Sequence, residues 1–79
     1  MGKAGQVLKQ VLETHNITQY KLAKVMGIQR NNVSRWVREE RELTAENVLN
    51  IVRALKQIDP VAAQSFVDAY LVDELQSKD

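Results

Sequence analysis

The placement of helix-breaking residues constrains the fold of this chain more than any other feature. Proline occurs once, at Pro60, and glycine occurs only at positions 2, 5 and 27. Apolar residues recur at spacings of three and four, and no segment shows the alternation typical of a β-strand. The long stretches without glycine or proline therefore predict an all-α protein in which Gly27 and Pro60 mark helix boundaries.

Each predicted helix start has a local reason. The hydroxyls of Thr18 and Thr44 can cap the free N–H groups of a following helix. Asp59 can do the same for a helix with Pro60 in its first turn. Five helices result, over about residues 3–15, from 19, from 30, from 45 and over about 59–76, with a frayed tail from about 77. Helix 4 is expected to turn one apolar face inward, formed by Val48, Leu49, Val52 and Leu55.

Length and composition indicate how such a bundle is stabilised. A chain of 79 residues buries only about 60% of its unfolded surface. It has no cysteine for disulfides or thiolate metal sites, and the single His15 is insufficient for a zinc site. We therefore expect one domain over 1–79, held by helix packing and a partner subunit, without cofactors or metals. No apolar run has the length of a membrane span, and the first five residues lack a signal-peptide core. A cytoplasmic, nucleoid-associated location is expected.

The net charge of +1 conceals an uneven distribution. Residues 1–58 contain ten Lys or Arg and five Glu, whereas residues 59–79 contain one Lys and five acids. No acid lies between Glu13 and Glu39, although that stretch includes five basic residues. A local basic zone in a nearly neutral chain indicates a polyanionic partner.

Residues 18–37 have the layout of a helix-turn-helix, in which two short helices meet at a tight turn containing glycine. Gly27 occupies the turn, and Ala23 is small enough for close helix approach. The second helix then presents Arg30, Asn31, Asn32 and Arg35 on its polar face. Arg can bond bidentately to guanine and Asn to adenine, so these are the predicted base-reading residues.

Over about residues 6–56 the chain resembles the phage repressor and Cro class of helix-turn-helix proteins, the XRE family. The resemblance implies a five-helix, lambda-repressor-like fold with helix 3 in the major groove of double-stranded DNA. It also implies contacts to the DNA backbone from Thr18, Gln19, Lys21, Arg38 and Arg41. The matching positions are Thr18–Gln19, Leu22–Ala23, Gly27, Val33, Trp36, Leu43 and the helix over 48–55.

Two positions depart from the family pattern. Many members have glycine and basic residues after helix 3, where this chain has Glu39, Glu40 and Glu42. Either these carboxylates point away from the DNA, or helix 3 runs longer than usual. Gln29 is also a weaker N-cap for helix 3 than Ser or Thr would be.

Helix 5 has apolar residues on more than one line of its surface. One line can cover the core, and a second is then left for an interface. We expect a homodimer through Phe66, Val67, Tyr70 and Leu71, together with the corner between helices 4 and 5. A two-fold dimer would place two recognition helices about one DNA turn apart.

The sequence therefore favours a sequence-specific, repressor-like transcriptional regulator. An antitoxin-like or adaptor-like module that binds another protein is the alternative, because the helix 5 stripe and the glutamates after helix 3 suit that role. No nucleophile–base pair or phosphate-binding glycine loop is visible, so we do not expect an enzyme. No small-molecule ligand is evident either.

Overall fold

The computed structural model describes residues 4–76, with side chains up to 72, and contains five α-helices joined by short connections. The predicted start of helix 1 at residue 3 and the tail from 77 lie outside the described residues. The described part has no strand, which confirms the all-α prediction. No helix in it is long and apolar enough to cross a membrane. The helices are α1 (Ala4–Thr14), α2 (Gln19–Met26), α3 (Arg30–Val37), α4 (Ala45–Ile58) and α5 (Pro60–Gln76).

The predicted helix starts are confirmed by their capping bonds. Thr18 Oγ1 accepts a hydrogen bond of 3.0 Å from the N–H of Lys21, and Thr44 Oγ1 accepts one of 3.1 Å from Asn47. Asp59 Oδ1 accepts a bond of 3.1 Å from the N–H at position 61, directly after Pro60. Gln29 precedes α3 without a side-chain cap, as its residue type predicts.

Three helices end in the same left-handed turn. Asn16, Gly27 and Glu39 have φ values of 57°, 76° and 60° and follow α1, α2 and α3. After α2, the N–H of Ile28 donates to the carbonyl of Ala23 over 3.0 Å, which is the long bond of a Schellman motif. The same pattern after α3 shows that the helix ends at Val37. The alternative that helix 3 runs longer is therefore wrong.

All five helices contribute to one hydrophobic core. Helices α4 and α5 pack against each other, α1 lies against α3 and α5, and α2 lies against α3 and α4. The largest fully buried side chains come from every helix: Leu8, Leu22, Val33, Ile51, Leu55 and Phe66.

A close contact between α1 and α3 depends on Gly5. A Cβ atom built at Gly5 would overlap the backbone carbonyl oxygen of Trp36. Because a backbone atom cannot swing aside as a flexible side chain can, any side chain at this position would force the helices apart. Gly5 thus sets how closely the first turn of α1 approaches the end of α3.

Candidate nucleic-acid interface

The turn between α2 and α3 is held from inside the protein. Leu22 and Ala23 of α2 are buried, as are Val33 and Trp36 of α3. Gly27 supplies the left-handed backbone that reverses the chain between them. This packing fixes the angle between the two helices and leaves the outer face of α3 in a defined orientation.

The outer face of α3 presents three of the four predicted base-reading residues. Arg30, Asn31 and Arg35 are exposed. Among the side chains that the structure describes, neither arginine has a carboxylate within ion-pair distance. Their donors are therefore free for an external partner.

Asn32 lies differently from the other three residues. It is half-buried and lines an open cleft of about 530 Å³ between α3 and α4. Trp36, Arg41 and Asn47 also line this cleft. The helical period explains the difference, because residues 32 and 36 share the side of α3 that faces α4. The structure thus separates Asn32 from the exposed trio.

The residues predicted to contact the DNA backbone lie at both ends of the helix-turn-helix. At the start of α2, Thr18 and Lys21 are exposed and Gln19 is half-buried. Past the end of α3, Arg38 and Arg41 are exposed. The N–H groups that remain free at a helix N-terminus and flanking basic residues are both suited to phosphate oxygens.

One contact on the surface of α2 was not anticipated from the sequence. The Lys24 ammonium lies 6.0 Å from the centre of the Tyr20 ring, at the outer limit of a cation–π interaction. Tyr20 itself is 62% exposed. The spacing of four residues on a helix could have indicated this pair.

The carboxylates after α3 do not share one direction. A Cβ atom at Gly5 would lie 3.4 Å from Cγ of Glu39, so the Glu39 side chain covers the first turn of α1. An acid near a helix N-terminus is favourable. Glu40 instead lies beside Arg38, with 3.5 Å between Oε2 and Nε. The Glu39 side chain therefore lies against α1, whereas Glu40 lies beside a residue of the candidate interface.

The predicted interface on α5 requires a correction. Phe66 is fully buried in the core of the monomer, so the prediction that it contacts a partner is wrong. Tyr70 stacks on Phe66 with ring centres 6.1 Å apart and is half-buried. Val67 is also half-buried, and Leu71 is 52% exposed.

Helix α4 adds apolar surface beside α5 that the sequence did not predict. Leu49 was expected to face inward, but it is 49% exposed, and Ile51 and Ala54 are buried instead. Val52 lines a shallow depression together with Val67 of α5. The α4–α5 apolar face consists of Leu49, Val52, Val67 and Leu71.

A helix-turn-helix with a free basic outer face defines the class of DNA-binding regulatory domains. Comparison with known families agrees: the helix-turn-helix family model HTH_3 matches residues 8–61. The chain belongs to this family, the XRE type of helix-turn-helix protein, and is a DNA-binding helix-turn-helix regulator. Neither the curated proteins nor the solved structures gave a match.

Proposed function

We propose that this regulator binds duplex DNA sequence-specifically by inserting α3 into the major groove, and that it acts as a repressor. The observation that carries the proposal is the exposed trio Arg30, Asn31 and Arg35 on a helix fixed by buried contacts. Arg and Asn provide bidentate hydrogen bonds that distinguish guanine and adenine in the major groove. No carboxylate lies in the sequence between Glu13 and Glu39 to oppose the approach of phosphates.

Contacts to the DNA backbone would set the register of α3. Thr18, Gln19 and Lys21 would approach one strand at the start of α2, and Arg38 and Arg41 would approach the backbone past the end of α3. Such contacts position a protein without selecting a sequence. The half-buried Asn32 is proposed as the weakest base contact of the four, because it lies towards the α3–α4 cleft.

Replacement of Arg30 tests base reading directly. We expect Arg30→Ala to lose discrimination at one base position, at a cost of about 1–3 kcal/mol for the preferred base. Lys9→Ala is the matched control, because it removes the same charge from an exposed site on α1. Binding to duplexes with each base pair varied in turn distinguishes the two variants. Equal weakening by Arg30→Ala on every sequence would instead make Arg30 a phosphate contact.

The proposal includes a homodimer through the α4–α5 apolar face. One α3 contacts only a few base pairs, so a second copy adds a second half-site to the same complex. The molecule measures 36 × 26 × 21 Å. Two copies side by side are thus of a size that suits recognition helices about 34 Å apart. A two-fold arrangement buries the same face on both copies.

The same apolar face would serve a different protein partner if the chain were an adaptor or antitoxin. We favour a second copy because Arg30, Asn31 and Arg35 are exposed on α3 and suited to base reading. An adaptor that binds only protein would not need such residues. A wild-type protein that is monomeric, does not bind duplex DNA and binds another protein would support the adaptor hypothesis.

A further inference from the structure

The turn after α3 places an acid beside a residue of the proposed DNA interface. Glu39 adopts a left-handed conformation, and the N–H of Glu40 donates to the carbonyl of Arg35 over 2.9 Å. This hydrogen bond fixes the backbone position from which the Glu40 side chain extends. Its carboxylate oxygen Oε2 lies 3.5 Å from Nε of Arg38. In the part of the chain that the structure describes, Arg38 is the one arginine paired with a carboxylate.

From this geometry we infer that Glu40 competes with DNA phosphate for Arg38 and thereby lowers DNA affinity without changing sequence preference. The inference rests on the proposed function. Carboxylate and phosphate oxygens are both acceptors for a guanidinium, which binds either with the same N–H donors. In the free protein the Glu40 carboxylate therefore lies beside the guanidinium that the DNA backbone would use.

Because the Arg38–Glu40 pair is exposed, a DNA phosphate can displace Glu40 from Arg38. The Arg38 and Glu40 side chains are 61% and 54% exposed, and Nε and Oε2 are separated by 3.5 Å, so the contact is an ion pair of long range. Exposed ion pairs of this kind change an equilibrium constant by no more than about fivefold. Displacing Glu40 would also leave its charge beside the phosphates. Both effects weaken binding to any duplex, because phosphate contacts carry no sequence information.

The remaining carboxylates near this turn provide the contrast. Glu39 lies over the first turn of α1 and is not paired with Arg38. Glu42 is exposed and is not paired with a basic residue among the described side chains. Glu42→Gln therefore removes the same charge from the same connection while leaving the Arg38–Glu40 pair intact.

The test is a double-mutant cycle on a labelled duplex of mixed sequence, measured over a series of salt concentrations. We expect Glu40→Gln to bind about three- to fivefold more tightly than wild type, with a salt dependence steeper by up to about one unit. In an Arg38→Gln background this gain should fall below about twofold. Glu42→Gln should give the same small change with or without Arg38. Unchanged thermal unfolding of all variants would show that the turn is preserved.

Three outcomes separate the inference from the proposed function. A gain from Glu40→Gln that depends on Arg38 supports the inference. Equal gains from Glu40→Gln and Glu42→Gln, independent of Arg38, would overturn it and leave a general charge effect. Failure of the wild type to bind any duplex at low salt would contradict the proposed function itself, and the inference with it.

Discussion

At the scale of single residues, two glycines have different structural roles, and only one was foreseeable. Gly27 follows an apolar helix pattern at the position of a helix-ending turn, so its left-handed φ of 76° was predictable from local sequence. Gly5 is needed because the carbonyl of Trp36 lies where its Cβ would be. A contact between residues so distant in sequence leaves no local signal. Phe66 shows the same limit, since its neighbours in sequence do not reveal which line of α5 faces inward.

Alanine substitutions at these glycines are expected to differ in cost. Gly27→Ala meets open space and suffers only the strain of a left-handed backbone, about 1 kcal/mol of unfolding free energy. Gly5→Ala must displace a backbone carbonyl, so we expect a loss of about 2–3 kcal/mol. Urea denaturation of both variants measures the difference. A Gly5→Ala protein as stable as wild type would show that the α1–α3 approach is looser than described.

At the scale of helices, the residue at which a helix begins was more predictable than the face that it buries. A cap depends on a few neighbouring residues, which is why Thr18, Thr44 and Asp59 were assigned correctly. The ends at Asn16 and Glu39 carry a weaker signal, because residues other than glycine rarely adopt a left-handed conformation. Which face of α4 is buried depends on where α2 and α5 pack, and Leu49 was misplaced for that reason.

The α4–α5 apolar face yields a prediction about association. Leu71→Lys should convert a wild-type dimer to monomers, because it places a charge in an apolar contact that both copies share. Ala69→Lys is the matched control, since Ala69 is an exposed apolar residue of α5 that lies towards α1 and outside this face. Analytical ultracentrifugation gives the mass of each variant. A wild type that is monomeric throughout, or equal loss of the dimer in both variants, would rule out this face.

At the scale of the whole molecule, the basic zone and the acids near the C-terminus lie on different helices. The basic zone predicted from the sequence lies on the helix-turn-helix, and the acids Asp68, Asp73 and Glu74 lie on α5. The class of fold and the exposed trio on α3 could be predicted because both arise from periodic patterns and turn residues. The placement of Asn32 in the cleft could not, because it depends on where α4 lies relative to α3. The pairing of Glu40 with Arg38 could not, because it depends on how the connection between α3 and α4 is folded.

Selection of bound duplexes from a random DNA pool tests the central claim, that α3 reads DNA sequence, most directly. The purified protein is incubated with the pool at near-physiological salt, and the retained duplexes are sequenced. We predict enrichment of a pseudo-palindrome whose half-sites lie about one helical turn apart, since two copies of α3 would read them. Arg30→Ala should relax one position in each half-site. Binding without enrichment, lost as salt rises, would contradict sequence reading and leave only attraction to phosphate.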